Sequence, residues 1–355
     1  MSRGAPHVLI MAGGTGGHIY PGLAVAGELR GRGCEVNWLG TQNGLETLLV
    51  PKAGFPLHFI DISGLRGKGF VNWVRAPARV LHASLQAAAH INTLAPDVVL
   101  GMGGFAAGPG GLVAWLMRRA LVVHEQNAAP GLTNRILSKI ARRVLEAFPD
   151  TFSSSRTHTV GNPVRGDIAA VAPMIEHQGP TRLLVLGGSQ GALALNRLMP
   201  EALGLVSASF CVTHQAGPAH VESTRAGYER VGVRANLLPY IEDMAKAYQN
   251  TDLVVCRAGA MTVAEVAAAG RAALFIPFPY AVDDHQTLNA QYLVDVGGGL
   301  IAQERDLNGA YLRDLLTALI ESPKKLCALG RQARTRAMPL ATQSVADVCF
   351  EVMRG

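Results

Sequence analysis

The sequence predicts an α/β protein built from two doubly wound, parallel-sheet (Rossmann-like) domains. Three pairs of segments carry that prediction. An apolar run at Val8 to Ile10 leads into Gly13-Gly14-Thr15-Gly16-Gly17-His18 and a helical pattern to Arg30, and Leu183 to Leu186 leads into Gly187-Gly188-Ser189-Gln190-Gly191 and a helix over Ala192 to Leu203. Pro96 to Gly104 is echoed by Thr251 to Ala260, and Ala120 to His124 by Ala273 to Pro277. Each is an apolar strand with a glycine-rich or polar tip, followed by a helix, and the three pairs recur in the same order.

Taken along the chain, the first strand, glycine loop and helix turn at Gly31-Arg32-Gly33 into a second strand, Glu35 to Leu39. Glycines let the backbone bend sharply and approach a bulky anion, while the helix start points free N–H groups into the same space. The competing reading is a plain βα turn. The loop lacks GxGxxG spacing, and the second strand ends in Gly40-Thr41-Gln42 without an acidic residue, so a nicotinamide or flavin enzyme is disfavoured. A helix is expected over Val71 to Ala89, with Val71, Val74, Ala78 and Leu81 on its core-facing stripe and Pro77 kinking or restarting it. Alternatively, Phe70, Trp73, Leu81 and Trp115, with Lys68, Arg75, Arg79, Lys139, Arg142 and Arg143, form a patch for an anionic membrane surface. The hinge is expected near Asn162, giving domains 1–162 plus 340–355 and 163–339. Pro339 breaks the helical pattern that starts near Pro323, and the last helix, Thr342 to Met353, crosses back to the first domain.

Composition narrows the function. A chain of 355 residues, 49% hydrophobic, fills two cores. No apolar run approaches the ~18 residues that cross a bilayer, and the N-terminus lacks a signal-peptide core, so a cytoplasmic location is expected. Five cysteines without CxxC spacing and histidines without an HExxH pair suggest free thiols and no zinc site. The charge of +6 and pI near 9.2 suit anionic partners. Nucleic acid is disfavoured, because no dense basic block carries interleaved aromatics.

His18, the Gly101-Met102-Gly103-Gly104 tip and His124-Glu125-Gln126-Asn127 all follow apolar strands, which places them at one carboxyl edge, where open α/β sheets bind ligands. His18, Glu125 and Asn127 are therefore expected in one cleft. In the second half, Arg257 to Glu265 turns from strand into helix, a second phosphate-binding start. There Thr262 and Glu265 match a capping box, in which the glutamate only satisfies a helix N–H; the alternative is that Glu265 meets a ligand.

These motifs, with Ile62 to Gly69 and Gly161-Asn162-Pro163-Val164-Arg165, resemble the MurG family over nearly the whole chain. The resemblance implies a GT-B glycosyltransferase, two such domains facing a cleft. It implies transfer of GlcNAc from UDP-GlcNAc to the C4 hydroxyl of the lipid-linked acceptor, lipid I, at the cytoplasmic face of the membrane. The implied substrate-binding residues are Thr15, Gly16, Gly17, Asn127, Arg165, Ser189, Ile241, Ala260, Met261, Thr262, Val263, Ala264, Glu265 and Gln286. Glu265 would meet the ribose hydroxyls and Ile241 would flank the uracil. Tyr20 and Ala128-Ala129 depart from the family pattern and bear on acceptor fit.

An α-linked donor and β-linked product mean inversion, which needs a base for the acceptor hydroxyl and stabilisation of the leaving diphosphate. His18 and Glu125 are the candidate bases, His18 the preferred one. Asp283-Asp284 is not a DxD motif, so neither a catalytic metal nor a cofactor is required; glycine loops, helix dipoles and Arg165 serve the diphosphate. Other readings are a related GT-B transferase, a sugar-nucleotide epimerase, or a non-catalytic nucleotide-sugar binder.

Overall fold

A computed structural model of the chain describes residues 4–62, 76–188 and 190–354. They form two compact units, Met1–Val164 with Leu340–Gly355, and Arg165–Pro339.

In the first unit the chain runs β1 (His7–Ala12), α1 (Gly16–Gly31), β2 (Glu35–Gly40), α2 (Glu46–Lys52), β3 (Leu57–Phe59), α3 (Ala76–Leu94), β4 (Val98–Gly103), α4 (Ala107–Leu116), β5 (Ala120–Glu125), α5 (Leu132–Leu137), β6 (Arg143–Glu146) and β7 (Thr157–Thr159). Among the described residues the strands form one parallel sheet in the order β3-β2-β1-β4-β5-β6-β7. Alternate residues of the buried strands fill two separate cores. Val8, Ile10, Val98 and Leu100 pack with α1 and the C-terminal helix, while Leu9, Met11, Val99 and Val123 pack with α3 and α4.

The second unit runs α6 (Gly166–Ala169), β8 (Thr181–Leu186), α7 (Leu193–Leu203), β9 (Phe210–Gln215), α8 (Val221–Arg230), β10 (Ala235–Leu238), α9 (Met244–Gln249), β11 (Leu253–Cys256), α10 (Ala260–Ala269), β12 (Ala272–Phe275), α11 (His285–Val294), β13 (Leu300–Ile301), α12 (Gly309–Ile320) and α13 (Pro323–Thr335). Its parallel sheet has the order β10-β9-β8-β11-β12-β13. The last helix, α14 (Ala341–Arg354), returns to the first unit, where Asp347 pairs with Arg32 and Glu351 with Arg143.

Both sheets reverse their winding once, between β1 and β4 and between β8 and β11. At such a switch point the loops leaving the two central strands turn apart and open a crevice at the carboxyl edge. The loops there are the ones singled out in the sequence: 13–15 and 103–106 in the first unit, 187–192 and 257–259 in the second.

Candidate functional site

In the first unit the two switch-point loops interlock. Gly14 has φ +91°, and its N–H donates to Glu46 Oε2 at 3.0 Å. Glu46 is fully buried, and its other oxygen accepts from the Thr41 N–H and hydroxyl at 2.9 and 2.7 Å. Across the crevice a Cβ on Gly104 (φ +83°) would run into the Gly13 carbonyl oxygen, and one on Gly103 (φ +100°) would lie 2.8 Å from the His18 ring. These glycines are required by close approach of backbone to backbone and to imidazole.

His18 stands in the first turn of α1, half-buried, with Nδ1 2.7 Å from Gln126 Oε1. Thr15 is the N-cap residue with no side-chain cap, and exposed Gly17 and half-buried Gly16 follow. Glu125, at the end of β5, is 2% exposed. Its Oε1 accepts from the Asn127 backbone and side-chain amides at 3.0 and 3.2 Å, and its Oε2 from Gly131 N–H at 3.1 Å and Asn134 Nδ2 at 2.9 Å. Four donors match the carboxylate's four lone-pair sites, so Glu125 holds the 126–131 loop in place. His18, Glu125 and Asn127 thus come to one edge, but only His18 presents a ring nitrogen there.

In the second unit, Gly188 (φ +84°) and Gly191 (φ +78°) shape the loop after β8, and a Cβ on Gly191 or Gly217 would collide with the facing backbone. Ser189 lies outside the described residues. After β11, Gly259 is the N-cap of α10, so Ala260, Met261 and Thr262 form its first turn at the carboxyl edge of the sheet. Thr262 is therefore past the cap position, and of the two readings of Thr262 and Glu265 the capping box does not form. Glu265 instead accepts a hydrogen bond from the Tyr248 hydroxyl at 3.0 Å. Desolvation pushes its carboxyl up to about 7, against the pull of nearby Arg165 and the Tyr248 bond, while Asp167 adds to the rise. A half-buried carboxyl beside a helix start and an arginine suits polar hydroxyl recognition. Val263 is buried, Ala264 half-buried, and Ile241 is 6% exposed beyond β10. Gln286 Oε1 accepts from Ala258 N–H at 3.2 Å and Phe278 N–H at 2.9 Å, tying the loop after β11 to the one after β12.

The apolar and basic patch is only partly described, because Lys68, Phe70, Val71, Trp73, Val74 and Arg75 lie outside the described residues. The expected inward stripe of α3 is corrected: Ala83, Ala87 and Ile91 face the core, whereas Ala78 is exposed, Leu81 is 62% and Leu85 63% exposed. Pro77 is the second described residue of α3, and the residues before Ala76 that bear on a kink or restart at Pro77 lie outside the described residues. Leu112, Trp115 and Leu116 on α4 and Leu132 and Ile136 on α5 are exposed too, and α4 packs against both α3 and α5. Lys139 and Arg142 are exposed beside them. Arg143 leaves the patch, because it pairs with Glu351 of α14 at 2.6 Å.

Sequence reasoning passed over Glu46, Tyr248, Asn134 and Gln126 as working residues. Gln126 was within the singled-out polar run; the others carry no motif, since Glu46 is tied to Gly14, Asn134 to Glu125 and Tyr248 to Glu265, 9 to 32 positions apart.

Comparison with known proteins agrees with this architecture. Residues 8–146 match the glycosyltransferase family 28 N-terminal domain and residues 182–345 the family 28 C-terminal domain. A UDP-N-acetylglucosamine--N-acetylmuramyl-(pentapeptide) pyrophosphoryl-undecaprenol N-acetylglucosamine transferase of Stutzerimonas stutzeri is 51% identical over 356 residues, covering 99% of this chain and all of the relative. The protein of the same name from Nitrosococcus oceani is 50% identical, covering 99% of this chain and all of the relative. The crystal structure of Acinetobacter baumannii MurG superposes with a TM-score of 0.84 at 42% identity, over 98% of this chain and 99% of that one. With both halves matched and the two parallel-sheet units in place, the fold is of the GT-B type, and the chain belongs to glycosyltransferase family 28.

Proposed function

We propose that this protein transfers GlcNAc from UDP-GlcNAc to the C4 hydroxyl of the undecaprenyl-pyrophosphoryl-MurNAc-pentapeptide acceptor, with inversion. The observation that carries it is the 51% identity, over 99% of the chain, to a relative named for that reaction. In this reading residues 1–162 and 340–355 bind the acceptor and meet the membrane, and 163–339 bind the donor. His18 accepts the hydroxyl proton, and Glu125 organises the loop that carries Asn127. The first turn of α10 and Arg165 stabilise the departing diphosphate, and Glu265 accepts hydrogen bonds from the ribose hydroxyls. Thr15, Gly16, Gly17, Ser189, Ile241 and Gln286 complete the substrate contacts.

Among the described residues no helix is long and apolar enough to cross a membrane. The exposed side chains of α3, α4 and α5, rimmed by Lys139 and Arg142, instead support peripheral binding to an anionic surface. Leu81→Glu with Leu85→Glu is expected to abolish flotation with vesicles containing anionic lipid.

The deciding experiment incubates purified protein with radiolabelled UDP-GlcNAc, with and without a lipid I analogue, and follows UDP and labelled lipid. Acceptor-dependent transfer with equal UDP release is expected, falling about 10²–10⁴-fold in His18→Ala. UDP release without acceptor would replace this reading with an epimerase or hydrolase. Donor binding without turnover would replace it with a binding protein.

A further inference from the structure

A neutral imidazole is a base at only one of its two nitrogens, and which one is decided by the hydrogen bond the other makes. For His18 that choice follows from a chain of bonds that begins at a backbone carbonyl. Gly161 O, which can only accept, lies 2.9 Å from His124 Nε2, so His124 Nε2 carries a hydrogen. His124 is fully buried, and burial holds its pKa down to about 4, leaving the ring neutral and Nδ1 a bare acceptor. Gln126 Nε2 lies 2.8 Å from that nitrogen, and donates to it. The same amide nitrogen lies 3.1 Å from the His124 carbonyl oxygen, a second group that only accepts. Both bonds turn the Gln126 amide the same way, with Oε1 toward His18.

Gln126 is 1% exposed, and its backbone carbonyl accepts from Asn162 Nδ2 at 3.0 Å, so the main chain that carries the amide is anchored as well. Its Oε1 is an acceptor 2.7 Å from His18 Nδ1, which must therefore carry the ring hydrogen. Gly103 closes against the imidazole from the β4 side, where a Cβ would lie 2.8 Å from Cε1 and Nδ1.

We propose that Gln126 and His124 are positioning residues that lock His18 as the Nδ1–H tautomer, so that Nε2 presents the lone pair that takes the acceptor proton. The inference rests on the reading of His18 as base. As the acceptor oxygen bonds to sugar C1, its proton moves to His18 Nε2, and the C1–oxygen bond to UDP breaks with its electron pair leaving on the diphosphate. The imidazolium so formed keeps its Nδ1–H bond to Gln126 Oε1. A carboxylate fills the corresponding place in the serine-protease triad; here a neutral amide sets the tautomer without a buried charge beside the ring.

The test is the nitrogen-15 spectrum of the histidine rings, with the His18 signals identified by their loss in His18→Ala. Wild-type His18 is expected to be protonated at Nδ1 and bare at Nε2, and the reverse pattern overturns the proposal without any further variant. Gln126→Leu removes the acceptor and is expected to shift His18 toward the Nε2–H form, lowering kcat about 10²-fold with the KM for UDP-GlcNAc unchanged. Gln126→Glu keeps an acceptor facing Nδ1 and is expected to keep the wild-type tautomer and exceed the Leu variant in kcat. An unaltered tautomer in the folded Leu variant overturns the lock. A shifted tautomer with unaltered kcat leaves the lock standing and removes His18 as the base.

Discussion

The interlocked glycines make a quantitative prediction, because Gly14 and Gly104 share a backbone conformation but not a neighbourhood. Both have positive φ, +91° and +83°, so Gly→Ala strains either by about 1–2 kcal/mol. Beyond that, a Cβ at Gly14 meets nothing within 4 Å, whereas one at Gly104 overlaps the Gly13 oxygen and stands 3.0 Å from Gly13 C and N. Backbone cannot rotate away as a side chain can, so Gly104→Ala carries an added overpacking cost of about 1–3 kcal/mol. The expected losses are therefore about 1–2 kcal/mol for Gly14→Ala and about 2–5 kcal/mol for Gly104→Ala. All three tryptophans, Trp38, Trp73 and Trp115, belong to the first unit, so urea unfolding followed by tryptophan fluorescence reads that unit alone. Gly104→Ala is also expected to slow transfer more than Gly14→Ala, since it pushes on the loop leading to His18. Equal unfolding midpoints for the two variants would refute the interlock.

Three further outcomes are expected. Glu125→Gln puts an NH2 group where donors already point and should cost the first unit about 2–4 kcal/mol; an unaltered midpoint with an altered pH–rate profile would instead return Glu125 to the role of base. Burial lowers His124 from 6.5 to about 4, and His58 is lowered too, so between those values the unfolded chain binds more protons. The first unit should then lose about 3 kcal/mol as pH falls from 6.5 to 4, and His124→Gln should remove most of that slope in the tryptophan signal. Glu265 has the opposite sign: raised from 4.5 to about 7, it holds a proton in the fold that the unfolded chain releases, so its contribution is full below 4.5 and is lost as pH rises through 7. Glu265→Gln should stabilise the second unit at pH 8 by about 1–2 kcal/mol, the ceiling of about 3 being cut by partial exposure, while weakening UDP-GlcNAc binding. Amide exchange along Leu253–Cys256 would show both arms, and faster exchange in the variant at pH 8 would reject the sign.

The repeat of strand, glycine loop and helix was legible because it is local: apolar strands and glycine tips stand next to one another in the chain, and their order dictates where the sheets switch. What the glycines do was not legible, since Gly103 and Gly104 are explained by Gly13 and His18, some ninety residues earlier. The same limit applied at α10. Thr262 and Glu265 have capping-box spacing, but the helix begins at Ala260 after Gly259, and the glutamate's partner, Tyr248, comes from α9. On α3 the misreading was one of size: the buried stripe is Ala83, Ala87 and Ile91, and its two alanines let the helix lie close to α4, while Leu81 and Leu85 face out. An alanine stripe inward and a leucine stripe outward inverts ordinary amphipathic reading. In the proposed function those outward leucines are the side chains that meet the apolar layer of the membrane. The exposure of Leu81 and Leu85 beside Leu112, Trp115, Leu116, Leu132 and Ile136 was beyond the reach of periodicity, as was the loss of Arg143 to its pair with Glu351.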